Sequence, residues 1–182
     1  MSNTINYARD TRSEAKMLED FKVGKENETL AIELLKKELI WKGENIQGVD
    51  CQLNEVDSPG EFRTYSPDAE LTLHMYDSRS LRLNVEVKAT GFKLLDPIFI
   101  KAGQVYYLKQ HPNPYFLIAD VEKFIFKPVD ELLAGIEPEP VERMGGKEFY
   151  LIPHNKLFFN TWTYGATFKR PEKNIHGNLS RM

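Results

Sequence analysis

Two alternating runs, Asp68 to Tyr76 and Leu81 to Ala89, are separated only by Asp77-Ser78-Arg79-Ser80. Two strands joined by so short a polar link leave room for little but a β-hairpin. Strand side chains point alternately to opposite faces. In the second run Leu81, Leu83, Val85 and Val87 therefore share one face, and Arg82, Asn84, Glu86 and Lys88 the other. In the first run Ala69, Leu71, Leu73 and Met75 form the apolar set, with Asp68, Glu70, Thr72 and His74 opposite. Pairing Tyr76 with Leu81 carries Asp68 toward the Lys88 end of its neighbour. Asp68, Glu86 and Lys88 are thus expected to converge on one polar patch. A solvated sheet face would alternate in the same way, but two details favour chemistry. Asp68 follows Pro67 at the mouth of its strand, where a carboxylate can reach a ligand. Val85 and Val87 are also too apolar for an edge strand, so Glu86 and Lys88 are expected to be partly buried. Buried charges need partners or a metal.

A helix is expected from about Lys25 to Leu39. With about 100° per residue and Glu28 set at zero, Ala31, Ile32, Leu35 and Leu39 all fall within about 60° of it. Glu28 thus sits inside the apolar stripe, while Glu26 lies opposite with Glu33 and Lys37. A carboxylate on a buried face is costly unless a metal, a lysine or backbone donors satisfy it. The alternative is a rim position from which Glu28 reaches water, favoured by the helix dipole.

The 182 residues suggest one domain, and 41% hydrophobic content supports a real core. The chain divides into an N-terminal arm (1–24), extended or a short helix, a single α/β domain (25–164) and a polar, mobile C-terminal tail (165–182). Strands are expected at Ile46 to Val56, Tyr115 to Val121, Phe124 to Val129, Phe149 to Ile152 and Lys156 to Phe159. Phe92 to Ile100 reads as a connector, Lys101 to Gln110 as a helix, Asp130 to Gly135 as a helical turn, and Ile136 to Gly146 as a loop. The order helix, strand, hairpin, helix, strand argues for an α/β sandwich around a mixed sheet. No apolar run reaches the ~20 residues of a membrane helix. The polar N-terminus lacks a signal peptide's apolar stretch, so a cytoplasmic location is expected, in the host if the protein is viral. The single Cys51 reads as a plain strand residue and excludes an internal disulfide or a cysteine-rich zinc site. The formal net charge of −3 argues against a strongly basic, sequence-independent nucleic-acid binder. It leaves room for an enzyme whose carboxylates themselves lower the charge.

Ser66-Pro67-Asp68-Ala69-Glu70-Leu71, followed by Val85-Glu86-Val87-Lys88-Ala89-Thr90, resembles the PD-(D/E)XK nuclease superfamily. Glu28 on the preceding helix resembles that family's inward glutamate. Gln104 on the following helix resembles the fourth motif of many members, and Tyr115 to Ala119 fits the next strand. The likeness runs from about Lys25 to Val121. It implies a restriction endonuclease-like α/β core, a central mixed sheet flanked by helices. The stretch from Trp41 to Tyr65 is longer and more acidic than a minimal core needs. Asp50, Glu55, Asp57 and Glu61 there are loop residues or rival ligands.

The resemblance further implies a Mg²⁺-dependent nuclease acting on DNA, with Mn²⁺ as a substitute. Its metal ligands would be Asp68, Glu86 and the Val87 carbonyl, with Glu28 either a further ligand or the support of one, since Mg²⁺ prefers a few carboxylates plus waters. Lys88 would position or deprotonate the attacking water or stabilise the phosphate, and Gln104 would orient water or the substrate backbone. His74, on the same strand face but distant from Asp68, is not expected to bind metal, and four histidines without close spacing argue against zinc. Lys169, Arg170, Lys173, His176 and Arg181 are candidates for gripping phosphate, although solvated tails have the same composition. Junction resolution or double-strand cleavage would favour a homodimer. Recombination, repair, restriction and phage DNA processing are all compatible settings. The rivals are a catalytically inactive nucleic-acid-binding module on the same scaffold and an assembly protein whose polar face is mere surface.

Overall fold

A computed structural model describes residues 13–43, 45–54 and 66–171. The first element, α1 (Glu14–Lys42), begins well before Lys25. The described end of the region read as an arm, from Glu14 on, is thus the helix's opening turns, and residues 1–12 lie outside the described part. The Ser13 side chain caps the helix by accepting from Lys16 N–H at 3.2 Å, and Lys16 pairs with Asp20 one turn on. Capping and i,i+4 pairs stabilise a helix that has no apolar stripe in its first turns, so hydrophobic periodicity gives no sign of it. From Ala31 onward the stripe is present: Ala31, Ile32, Leu34 and Leu35 are buried.

The strands β1 (Ile46–Leu53), β2 (Ala69–Met75), β3 (Ser80–Ala89), β5 (Pro114–Ala119), β6 (Lys123–Pro128) and β9 (Asn160–Thr161) form one sheet, in the order β1-β2-β3-β5-β6-β9. Among the described residues only β3 and β5 pair in parallel, so the sheet is mixed as expected. Their crossover carries β4 (Ile98–Lys101), formed by the end of the stretch read as a connector and the first residue read as helix, and α2 (Ala102–Leu108). After α3 (Val129–Leu132), the presumed loop contains β7 (Glu139–Val141), which pairs with β8 (Lys147–Ile152). A second sheet of order β4-β8-β7 results. The strand expected at Lys156 to Phe159 is replaced by a 3₁₀ turn at His154–Lys156 and the two-residue β9.

The hairpin register corrects one expectation. Leu73, not Tyr76, stands opposite Leu81, and Ala69 stands opposite Val85. Directly opposed residues share a face, so pairing Tyr76 with Leu81 would have mismatched the two apolar sets. Burial of one face forbids such an odd slip. The turn tightens to Tyr76-Asp77-Ser78, closed by Met75 N–H donating to Arg79 O at 2.9 Å, with Ser78 at φ 69°. The consequence is that the chain just before Ala69 arrives beside Glu86 and Val87.

The sheet buries both faces. Ala69, Leu71, Leu83, Val85, Val87 and Leu117 pack with the α1 stripe. Phe116, Ile118 and Ile125 pack on the other side with α2, α3 and the small sheet. That second face is covered as much by strands as by helices. Of the tail expected to be mobile, the described residues 165–171 are packed: Phe168 is buried against Trp162 in the α1-side core.

Candidate active site

Asp68 ends the chain's approach to β2, and Asn54 fixes the backbone there. Asn54 N–H donates to Asp68 O (2.9 Å), and its side-chain amide to Pro67 O (2.8 Å). The Asp68 carboxylate is then held at both oxygens. Val87 N–H donates to Oδ2 at 2.9 Å, and Lys25 Nζ donates to Oδ1 at 2.8 Å. Lys25 Nζ also donates to Glu28 Oε2 at 2.6 Å. Beside this pair lies a second chain of contacts. Lys88 Nζ donates to Gln104 Oε1 at 2.8 Å, and Gln104 Nε2 donates to Glu86 Oε1. Glu86 is only 5% exposed.

One cleft of about 400 Å³ is lined by Lys25, Glu28, Asp68, Glu86, Lys88 and Gln104. Every side chain expected at the site is therefore brought to it. Val87 enters through its backbone N–H; a ligand role was expected of its carbonyl. His74 is elsewhere, with Nε2 2.7 Å from Asp50 Oδ2, and this pairing also ties up Asp50 away from the cleft. Glu55, Asp57 and Glu61 lie outside the described residues, as do Lys173, His176 and Arg181. Glu26 pairs with Lys169 on the outer side of α1. Arg170 Nε donates to Gly91 O at 2.8 Å, and its guanidinium lies 5.3 Å from the centre of the Phe92 ring.

Sequence reasoning missed Lys25, although the signal was present. Three residues before Glu28 on a helix is about 60° away on the wheel, a spacing at which opposite charges meet. It also missed two buried polar residues of α1. The Asn27 side chain exchanges hydrogen bonds with the Lys169 backbone (2.8 and 2.7 Å). Glu38 accepts from Thr163 N–H and hydroxyl. These clips hold the C-terminal segment across the helix. Gly91 is required where that segment passes, because a Cβ there would come within 2.4 Å of Lys169 O.

The electrostatics follow from crowding. Burial, reinforced by the charge of Asp68, pushes the Glu28 carboxyl above its ordinary range. Burial holds Lys88 below the ordinary lysine range, against the opposing pull of Glu86, Asp68 and Glu28. Burial would also lower Lys25, but the charge and hydrogen bond of Asp68, helped by Glu28, raise it instead.

The donor set suits a hard divalent ion. Carboxylate oxygens are its preferred ligands, and Mg²⁺ keeps several waters rather than filling an all-protein cage. Glu28 and Asp68 already converge on one cation, the Lys25 ammonium. Among the described residues no group of three His, Cys, Asp or Glu side chains is drawn close enough to hold an ion unaided. The fit is thus to an ion sharing its shell between a few carboxylates and water.

No protein-family model and no curated protein sequence matches the chain. Among solved structures it is similar to the Holliday junction resolvase Hjc of Archaeoglobus fulgidus, with 22% identity and a TM-score of 0.41 over 69% of this chain and 89% of that one. It is also similar to the restriction endonuclease MspI in complex with its cognate DNA, with 12% identity and a TM-score of 0.38 over 78% of this chain and 93% of that one. Both likenesses are of fold.

Proposed function

We propose that this chain is a metal-dependent nuclease that hydrolyses DNA phosphodiester bonds, an endonuclease of DNA recombination, repair, restriction or phage DNA processing. The observation that carries the reading is the convergence of Glu28, Asp68, Glu86, Lys88 and Gln104 on one cleft. These residues come from a helix, the entry to β2, the strand β3 and a second helix, and a solvated sheet face has no need to gather them.

A bound Mg²⁺, or Mn²⁺ in its place, would supply an activated water and neutralise charge on the phosphate. Asp68 and Glu86 would hold it, with Glu28 and the Val87 carbonyl as further ligands. Lys88 presents its ammonium beside Glu86 and places positive charge where the phosphate gains negative charge in the transition state. Burial also disfavours its charged form, which raises the share of neutral amine able to accept a proton from water. Gln104 keeps Lys88 and Glu86 in register by bonding to both. Among the described residues no helix is long and apolar enough to cross a membrane. The reading places the enzyme with DNA in the cytoplasm, and double-strand or junction cleavage would call for a homodimer.

The second reading, an inactive DNA-binding module on this scaffold, is favoured by the Lys25 ammonium, which already neutralises part of the carboxylate charge. A plasmid-nicking assay separates the two. The nuclease nicks with Mg²⁺ or Mn²⁺ and not with Ca²⁺ or EDTA. Binding under all four conditions without nicking would select the module, and neither binding nor nicking would remove both.

A further inference from the structure

Lys25 is placed as no ordinary surface lysine is. An i,i+3 pair with Glu28 would be unexceptional alone, but the same ammonium reaches Asp68, 43 residues away, at 2.8 Å. It stands between two carboxylates that would otherwise repel one another in a partly buried cleft. Of the three groups it is the most exposed: its side chain is 34% accessible, against 24% for Glu28 and 13% for Asp68. Asp68 is further held by Val87 N–H, and the helix that carries Glu28 is seated in the core through Ala31, Ile32 and Leu35. Asp68 thus keeps an anchor of its own when the ammonium, on its flexible four-carbon stem, swings out to the solvent. Lys88, the other cation of the cleft, is engaged with Gln104.

We propose that Lys25 is an internal counter-ion that occupies, in the metal-free protein, the place of a divalent cation between Glu28 and Asp68, and that cation binding expels it. Charge supports the exchange. With Lys25 withdrawn, Glu28, Asp68, Glu86 and Lys88 leave two net negative charges in the cleft, the complement of one divalent ion. The proposal rests on the metal-dependent reading above. Its consequence is a site that stays assembled without metal and binds metal less tightly than its carboxylates alone would.

The test is Mn²⁺ titration calorimetry on the full chain, with melting temperatures in EDTA and in Mn²⁺. Lys25→Met keeps the stem and removes the charge. It should bind Mn²⁺ on the order of tenfold more tightly than the wild type, within the range of couplings between competing ligands. It should also melt lower in EDTA and gain more from Mn²⁺. Lys25→Arg, which keeps the cation, should bind no more tightly than the wild type. Should Lys25→Met fail to fold, Lys25→Gln carries the same expectation with a smaller gain. Mn²⁺ binding by the folded variant that is equal to or weaker than that of the wild type overturns the exchange. If Asp68→Asn nonetheless abolishes Mn²⁺ binding, the metal site itself survives. No Mn²⁺ binding by any of the proteins removes both.

Discussion

Asp68→Asn is the substitution whose effect can be worked out atom by atom. The carboxylate accepts one hydrogen bond at each oxygen, from Lys25 and from Val87 N–H. An amide offers one acceptor and one donor, so it can satisfy only one of the two. The buried backbone N–H has no alternative, whereas Lys25 can turn to water. The amide oxygen should therefore face Val87, and the charge-assisted bond to Lys25 is lost. Such bonds contribute about 1.5–3 kcal/mol. A loss of about 2 kcal/mol in a chain of this length lowers the melting temperature by about 4–8 °C. That is the expectation in EDTA. In Mn²⁺ the gap should widen, because the wild type gains about 2.7 kcal/mol at a hundred times its dissociation constant and a variant without the ligand gains nothing. Differential scanning calorimetry in both buffers, with plasmid nicking alongside, reads both effects. A variant within about 0.5 kcal/mol of the wild type in EDTA, the range of an uninvolved surface change, and equally stabilised by Mn²⁺, would refute both the local geometry and the ligand assignment.

Lys88→Ala should lower turnover by roughly 10²-fold or more, the scale of a single electrostatic group, and leave DNA affinity in Ca²⁺ far less affected; a variant that cleaves like the wild type would sink the catalytic assignment. Glu28→Gln should impair cleavage and Glu26→Gln should not, since the first lines the cleft and the second pairs with Lys169 outside it; equal rates for both would remove Glu28 from the mechanism. Glu38→Gln tests the C-terminal clip. Burial works to raise the Glu38 carboxyl, but Thr163 and Lys42 overcome it and hold it below its ordinary range. Its stabilising effect is therefore present above the unfolded-state value and lost as pH falls through the lower folded value. At pH 7 the variant should be about 2 kcal/mol less stable in urea, with the gap closing in acid; a gap that is unchanged in acid would show that ionisation of Glu38 is not the source.

The hairpin was readable because alternation is strict in both strands and one face is wholly apolar. The same alternation contained the parity of the register, since the apolar sets align only when odd-numbered residues oppose one another, as Leu73 does Leu81. Glu28 was readable because the helix period is unambiguous from Ala31 onward. The opening turns of α1 were not, because they are held by a cap and ion pairs. The small sheet was hidden for a different reason. β4 and β7 are only four and three residues long, and they are ordered by pairing with β8. Lys25 was within reach of helix phase, but a lysine next to an expected helix start reads as solvated. Asn27 and Glu38 could not be foreseen as buried, because their partners lie at Lys169 and Thr163, far along the chain.

Those distant partners explain why the fold extends past the stretch that carries the motif. The cleft is built where α1, the ends of β2 and β3, and α2 meet, and each belongs to a different part of the packing. α1 is seated in one core and α2 in the other. Positioning groups on such separate elements needs ties between them, because small displacements of a catalytic group are costly. Asp120, wholly buried at the end of β5, is one such tie. Its side chain accepts from Leu94, Glu122 and Lys123 N–H, and its carbonyl from the Trp162 indole. It thereby joins the segment leaving β3, the start of β6 and the C-terminal segment. That last segment runs on through the Asn27 clip to α1 and through Arg170 to Gly91, just past Lys88. The C-terminal residues thus close a loop of contacts from the helix that carries Glu28 to the strand that carries Glu86 and Lys88. These hydrogen bonds are directional ties between the two elements, and they add to the apolar packing of α1 on the central sheet and to the Lys25–Asp68 pair.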